Sequence, residues 1–202
     1  MKNTSTLIAS VLAAAMLSAA TPAAAQASIT LFGGYAGTSG IDDATSNASA
    51  DVKNGATFGV AVGMPFDASR ELQLLYNQQS TTLAPGGGAA PFDLTIRHLH
   101  VGGTVFVGRA VGQGFYAVGG VGVTQFSPGT TGFDNEYKPS INVGFGYYLP
   151  LGDRVALLAE ARGFFTLVNS SGGFLCSGGC IVVLKSDTVT QVEAKIGLMA
   201  RF

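Results

Sequence analysis

Along most of this chain polar and apolar residues alternate with a period of two, the pattern of a β-strand that has one face in an apolar environment. The alternation is clearest between Ser140 and Leu149. There Ile141, Val143, Phe145, Tyr147 and Leu149 share one face, opposite Ser140, Asn142, Gly144, Gly146 and Tyr148. From Arg154 to Leu167, the residues Val155, Leu157, Ala159, Ala161, Gly163, Phe165 and Leu167 oppose Ala156, Leu158, Glu160, Arg162, Phe164 and Thr166. The last segment sets Val192, Ala194, Ile196, Leu198, Ala200 and Phe202 against Gln191, Glu193, Lys195, Gly197, Met199 and Arg201. Five further strands are expected at Ser28 to Gly37, Gly55 to Met64, Arg70 to Gln79, Leu94 to Val107 and Gly114 to Phe126. In the fourth the parity becomes regular only from His98 onward, and in the fifth the glycines leave the outward face open. The total is eight, an even number, as bacterial membrane barrels require.

The connections carry an independent signal. After the second, fourth and sixth strands the chain turns quickly, at Pro65 to Ser69, Gly108 to Gln113 and Pro150 to Asp153. After the first, third, fifth and seventh it runs through longer polar or glycine-rich stretches: Thr38 to Asn54, Ser80 to Asp93, Ser127 to Lys138 and Val168 to Ser186. Outer-membrane barrels segregate short periplasmic turns from long external loops in this way.

Composition decides what wets the apolar faces. Charged residues make up only 11% of the chain and hydrophobic ones 47%, against about 25% charged in a soluble domain. Lipid is therefore expected to cover much of the surface. The net charge of -1 gives no footprint for a nucleic-acid partner. After the N-terminal segment no run of 18 apolar residues without charges appears, so spanning by helices is excluded on length and a closed barrel is the remaining membrane architecture.

The first residues read as a secretory signal: Lys2 supplies a positive start and Leu7 through Leu17 an apolar core of leader length. Small-residue cleavage patterns end at Ala25, before Gln26, and at Ala27, before Ser28; strand-like sequence starts at Ser28, which favours the second. The expected organisation is a signal peptide over residues 1–27 and one barrel domain over residues 28–202, exported by a Sec-type route to the outer membrane of a Gram-negative envelope.

Lys195, Gly197, Ala200 and Phe202 fit the C-terminal signal of outer-membrane barrels, in which a polar residue, a glycine, an apolar residue and a final aromatic recur at this spacing. Together with Glu160-Ala161-Arg162-Gly163-Phe164 and Phe32-Gly33-Gly34-Tyr35, the mature chain resembles the small eight-stranded barrels of the OmpA-like and opacity-type porin group. The resemblance implies an all-β fold, a single antiparallel up-and-down transmembrane barrel. It also implies recognition of the last strand by the barrel assembly machinery, and contact with outer-membrane lipid and lipopolysaccharide. It brings no substrate and no catalytic residue. The chain ends with the barrel, so no trailing peptidoglycan-binding domain is expected.

An eight-stranded barrel has an interior just wide enough for side chains to fill. Glu71, Glu160, Arg162, Glu193, Lys195 and Arg201 are expected inside it, and buried charges should pair. If the last two strands pair so that residue numbers sum to 355, Glu160 faces Lys195 and Arg162 faces Glu193, while Val155 faces Ala200, Leu157 faces Leu198 and Ala159 faces Ile196 on the lipid side. His98 and His100 share one face; two histidines at this spacing suit a metal or acid–base chemistry, but no serine or third ligand is evident beside them, and neither a metal nor a cofactor is expected. Cys176 and Cys180 flank a Ser-Gly-Gly turn in the last long connection, and in an oxidising envelope they suit a disulfide. Gly86-Gly87-Gly88 lacks the lysine of a phosphate loop, and Asp42, Asp43 and Asp51 lack calcium-loop spacing. The functional expectation is a structural or surface-interaction barrel without catalysis. The alternatives are a narrow porin-like channel or conduit for small apolar compounds, and a membrane-embedded lipid A-modifying enzyme.

Overall fold

The computed structural model describes residues 27–38, 41–42, 49–84, 90–130, 134–168, 173–176, 180–183 and 188–202. Twelve strands run in chain order. They are β1 (Ser28–Thr38), β2 (Ile41–Asp42), β3 (Ser49–Val52), β4 (Gly55–Pro65), β5 (Arg70–Ala84), β6 (Phe92–Phe106), β7 (Gly114–Pro128), β8 (Glu136–Pro150), β9 (Val155–Leu167), β10 (Gly173–Cys176), β11 (Cys180–Val183) and β12 (Thr188–Arg201). Eight of them, β1, β4 to β9 and β12, pair antiparallel in sequence order, and β12 closes on β1. The short strands β2, β3, β10 and β11 lie in the first and last long connections. This closed, all-antiparallel eight-stranded barrel leaves no edge strand, the condition for β-structure to cross lipid.

The register fixes its shape. Starting at Tyr147 on β8, the cross-strand partners run through Ala159, Ile196, Gly33, Phe58, Gln78, Arg97 and Gln125, and return to β8 at Tyr137, ten residues from the start. Eight strands with that stagger tilt by roughly 40° and enclose a cylinder of roughly 8 Å backbone radius, given the usual rise and strand spacing. Side chains from opposite walls meet at the axis of so narrow a cylinder.

Alternation then sorts the residues. Leu31, Phe58, Leu72, Leu99, Val121, Phe145, Leu157 and Ile196 are exposed on the outer wall, one from each barrel strand, while Thr30, Thr57, Gln73, His98, Thr124, Asn142, Glu160 and Gln191 are buried inside. On β7 the outward face is that of Phe115, Val121 and Val123, with Tyr116, Val118, Thr124 and Phe126 inward. One inward glycine on each of β4, β7, β8 and β12 gives room to a ring from the next strand, at Gly59, Gly122, Gly146 and Gly197. Phe32 lies directly opposite both Gly59 and Gly197, and a Cβ on Gly59 would stand 2.5 Å from its Cζ. Tyr116 covers Gly146 in the same manner. These four glycines are thus packing partners for inward rings.

Four strands extend further than their alternation indicated. β5 continues through Ser80 to Ala84, β6 begins at Phe92, β7 reaches Pro128 and β8 starts at Glu136. The reason is an inversion of polarity. Toward the long-loop end Leu83, Leu94, Ile96, Phe126 and Val189 point inward and pack together with Val52 and Val168, while Thr82, Thr95, Gln125 and Ser127 take the outward positions. The backbone ladder continues, but the greasy face has switched sides. A second apolar cluster, including Phe106, Val111, Tyr116, Tyr148, Leu158 and Met199, fills the end with the short turns.

Two short turns are held by specific contacts. At 66–69, Asp67 Oδ1 accepts from the backbone N–H groups of Ser69 and Arg70, both at 2.8 Å, and Oδ2 accepts from Arg70 Nε at 2.6 Å. The Ser69 amide first, then the Arg70 guanidinium, hold the Asp67 carboxyl below its ordinary value. Gly108 and Gly112 in the turn 107–113, and Gly114 at the start of β7, have positive φ. This turn tucks Val111 into the barrel end, where its carbonyl accepts from Arg201 Nη2.

Candidate functional site

Between the two apolar clusters lies a band of buried polar side chains. Its centre is Glu160 on β9. Arg162 donates through Nε to Oε1 at 2.6 Å and through Nη2 to Oε2 at 2.9 Å, Tyr116 donates to Oε2 at 2.5 Å, and Lys195 Nζ lies 2.9 Å from Oε1. Lys195 also reaches Glu193 at 3.2 Å and sits 4.1 Å from the centre of the Phe32 ring. Asn77 donates to both oxygens of Glu193, and Arg162 to Asn142 and Gln73. Four charges with this many partners meet the requirement for burying ions.

The strand register explains the assembly. Glu160 stands opposite Lys195 and Arg162 opposite Glu193, in the ladder whose paired numbers sum to 355, with Val155 opposite Ala200 and Leu157 opposite Leu198. The guanidinium of Arg162 nevertheless turns along its own strand to Glu160. The remaining two charges, Glu71 and Arg201, interact through their charges at the short-turn end, without an ion pair within 4.0 Å. Glu71 is buried at the short-turn end with Oε2 lacking a hydrogen-bond partner among the described residues, and Arg201 directs Nη2 to a backbone carbonyl. Both sit beside a turn rather than in the central band.

The histidines occupy the same polar band, nearer the long loops. His98 Nδ1 lies 2.9 Å from Thr124 Oγ1, which donates to Ser140 Oγ at 2.8 Å; His100 Nε2 is 2.7 Å from Ser140 Oγ, and its Nδ1 contacts Asn142. A serine is therefore matched to His100, contrary to the expectation of none. Ser140 and His100 are two strands apart, and the residue between them in the register row is Gly122, over which the imidazole lies. Ser140, His100 and Asn142 resemble a nucleophile–base–orienter trio in their contacts. Its surroundings are another matter: Phe164 stacks on His98 at 4.1 Å, and Ile96 and Phe126 close the barrel above. Catalysis needs a space where a reacting atom can sit beside the nucleophile, and all three residues are buried in packed interior.

Of the remaining candidates, Lys195 and Gly197 point inward, whereas Phe202 is 68% exposed beside Ala27, whose carbonyl accepts its N–H at 2.9 Å. Cys176 and Cys180 are direct partners in the β10–β11 register, while their side chains lie outside the described residues. Gly86-Gly87-Gly88, Asp43 and the side chains of Asp42 and Asp51 also lie outside them. No group of three potential metal ligands converges among the described residues.

A closed antiparallel barrel of eight strands, apolar outside and hydrogen-bonded within, defines a transmembrane β-barrel. The chain belongs to the outer membrane protein beta-barrel domain family, whose model matches residues 9–202. It is an integral outer-membrane barrel. Among solved structures, Neisserial surface protein A is similar over 87% of this chain and 97% of its own, with TM-score 0.57 and 13% identity. The outer membrane protein AlkL in lipid bilayers is similar over 91% and 94%, with TM-score 0.57 and 13% identity. Ail of Yersinia pestis, in complex with the heparin analogue sucrose octasulfate, covers 89% and 99%, with TM-score 0.50 and 15% identity. At these identities the likeness is one of fold alone. No curated protein sequence matches the chain.

Proposed function

We propose that this barrel works through its outer wall and its long-loop end, as a structural and surface-interaction protein, with neither conduction nor catalysis in its interior. The observation that carries the reading is the filling of both ends of the barrel. Leu83, Leu94, Ile96 and Phe126 are at most 1% exposed at one end, and Phe106, Tyr116, Tyr148 and Met199 pack at the other. A conduit would need water or substrate to pass both layers and the ion network between them. Recording from the purified barrel in planar bilayers tests this. The expected result is no stepwise conductance; steady single-channel steps would make the porin-like alternative the better reading.

We propose the setting from the sequence pattern and the strand register. Residues 1–27 serve as the export signal, and the long-loop end faces outward, in contact with lipopolysaccharide. The last strand, with Lys195, Gly197, Ala200 and Phe202, is the segment the assembly machinery reads. Cys176 and Cys180 form a disulfide: directly opposed residues of an antiparallel pair have Cα atoms about 4.5–5.5 Å apart, inside the range a disulfide spans. Mass measurement of the mature protein before and after reduction tests that bond.

A further inference from the structure

The outer wall carries a charge at one particular height. Arg70 and Asp93 sit near its two ends; between them, Arg97 is the one outward-facing charge among the described barrel residues. It is the centre of a row of direct cross-strand partners over four strands, Gln78, Arg97, Gln125 and Tyr137. Arg97 Nε donates to Gln78 Oε1 at 3.0 Å and Nη1 to Gln125 Oε1 at 3.2 Å. Tyr76 donates to the same Gln78 oxygen, and Gln125 Nε2 donates to the Tyr137 hydroxyl at 2.8 Å. The guanidinium is thus held by two neutral amides. No carboxylate lies within ion-pair distance of it among the described residues.

The height is that of the membrane boundary. One row toward the short turns the outward residues are Tyr76, Leu99 and Val123; one row toward the long loops they are Ser80, Thr95 and Ser127. Val107, 67% exposed just past the other end of β6, is ten residues further along the chain. At the usual rise and a tilt of roughly 40° that is roughly 25 Å, the height of a barrel's apolar band. A cation fixed at that level by neutral partners has no anion beside it among the described residues, and the abundant anion at the level where acyl chains end is a headgroup phosphate. Arginine presents a planar fork suited to it.

We propose that Arg97 is the phosphate-binding residue of a lipid site on the outer wall, its ligand being the phosphorylated headgroup of an outer-leaflet lipid, with Gln78 and Gln125 as positioning residues. The choice of leaflet rests on the proposed orientation. The test is native mass spectrometry of the folded barrel in micelles, with bisphosphorylated lipid A and its dephosphorylated form as probes. The expected result is roughly tenfold tighter retention of the phosphorylated probe, from a charge-assisted bidentate pair. Arg97→Gln should abolish that preference and Arg97→Lys should keep only part of it. Millimolar inorganic phosphate should not compete, since it lacks the acyl chains. Heat-modifiability on gels confirms that each variant is folded. Equal retention of both probes by the native protein, or an undiminished preference in Arg97→Gln, overturns the site. Orientation is read separately, from antibody labelling on intact cells of an epitope inserted after Gly129: an unlabelled epitope overturns the outer-leaflet assignment while the micelle measurement still judges the phosphate site.

Discussion

Lys195 and Glu160 face each other across β12 and β9 with Nζ 2.9 Å from Oε1, both side chains at most 2% exposed. Removing one partner of such a pair leaves an uncompensated charge in a medium that solvates it poorly. Lys195→Met should therefore cost about 3–5 kcal/mol, although methionine fills most of the same space. The double variant Lys195→Met with Glu160→Gln should recover part of the loss. The measurement is urea unfolding in micelles followed by circular dichroism, since the chain has no tryptophan to report by fluorescence. A single variant within about 1 kcal/mol of the parent, the ceiling for an exposed pair, would show that the network is not stabilising.

The turn after β6 offers a comparison between two glycines with similar backbone angles. Gly108 has φ +64° and nothing within 4 Å of the place a Cβ would take, whereas a Cβ on Gly112, at φ +74°, would stand 2.0 Å from Arg201 Nη2 and 2.7 Å from Met199 Cε. Gly108→Ala should cost only the left-handed backbone term, about 1–2 kcal/mol. Gly112→Ala adds displacement of Arg201 from the Val111 carbonyl, and should cost about 1 kcal/mol more for that hydrogen bond. Thermal midpoints from gel mobility rank the two; an equal loss would mean that Arg201 moves aside freely.

Asp67 gives a pH test outside the membrane. Its carboxyl is held below its ordinary value by the Ser69 amide and by Arg70. A group whose folded value is depressed contributes stability above its unfolded value and loses it as pH falls through the folded one. Asp67→Asn should therefore destabilise the barrel at pH 7 and make no difference once the pH lies below the folded value. Unfolding midpoints of both proteins at neutral and strongly acidic pH check the convergence; a gap that persists in acid would assign the effect to something other than the ionised carboxylate.

Strand count, loop-length asymmetry and the β9–β12 ladder could be read from the chain because period-two alternation and charge placement fix them locally. The extra length of β5 to β8 could not, because there the rule itself reverses: Leu83 and Leu94 turn inward where water replaces lipid outside, so alternation read with one fixed meaning ends the strand early. The irregular parity before His98 was the trace of that reversal. The match of Ser140 to His100 was hidden for a different reason. It depends on two successive registers, β6 with β7 and β7 with β8, and on a glycine at the middle position, and neither register follows from the composition of one strand. The outward face of β7 was likewise settled only by its neighbours: the His100 ring lies over inward Gly122, and Asn142 reaches inward Gly120.

The Ser140–His100 contact separates a structural role from a chemical one. Ser140→Ala leaves the His100 Nε2 edge without its partner in packed interior, which should cost about 1–3 kcal/mol. Gly122→Ala should be at least as damaging, since its Cβ would stand 2.1 Å from the Leu99 carbonyl oxygen and 2.3 Å from His100 Cδ2, crowding the backbone and pushing the ring off Ser140. Neither change should alter the lipid A of cells carrying the variant, because an acyl ester has no path past Phe126, Ile96 and the Phe164 ring to the serine oxygen. Mass spectra of extracted lipid A, compared with those from cells carrying the parent protein, check this. Loss of a lipid A species in Ser140→Ala cells that still contain the folded barrel would establish the enzyme reading and displace the one proposed here.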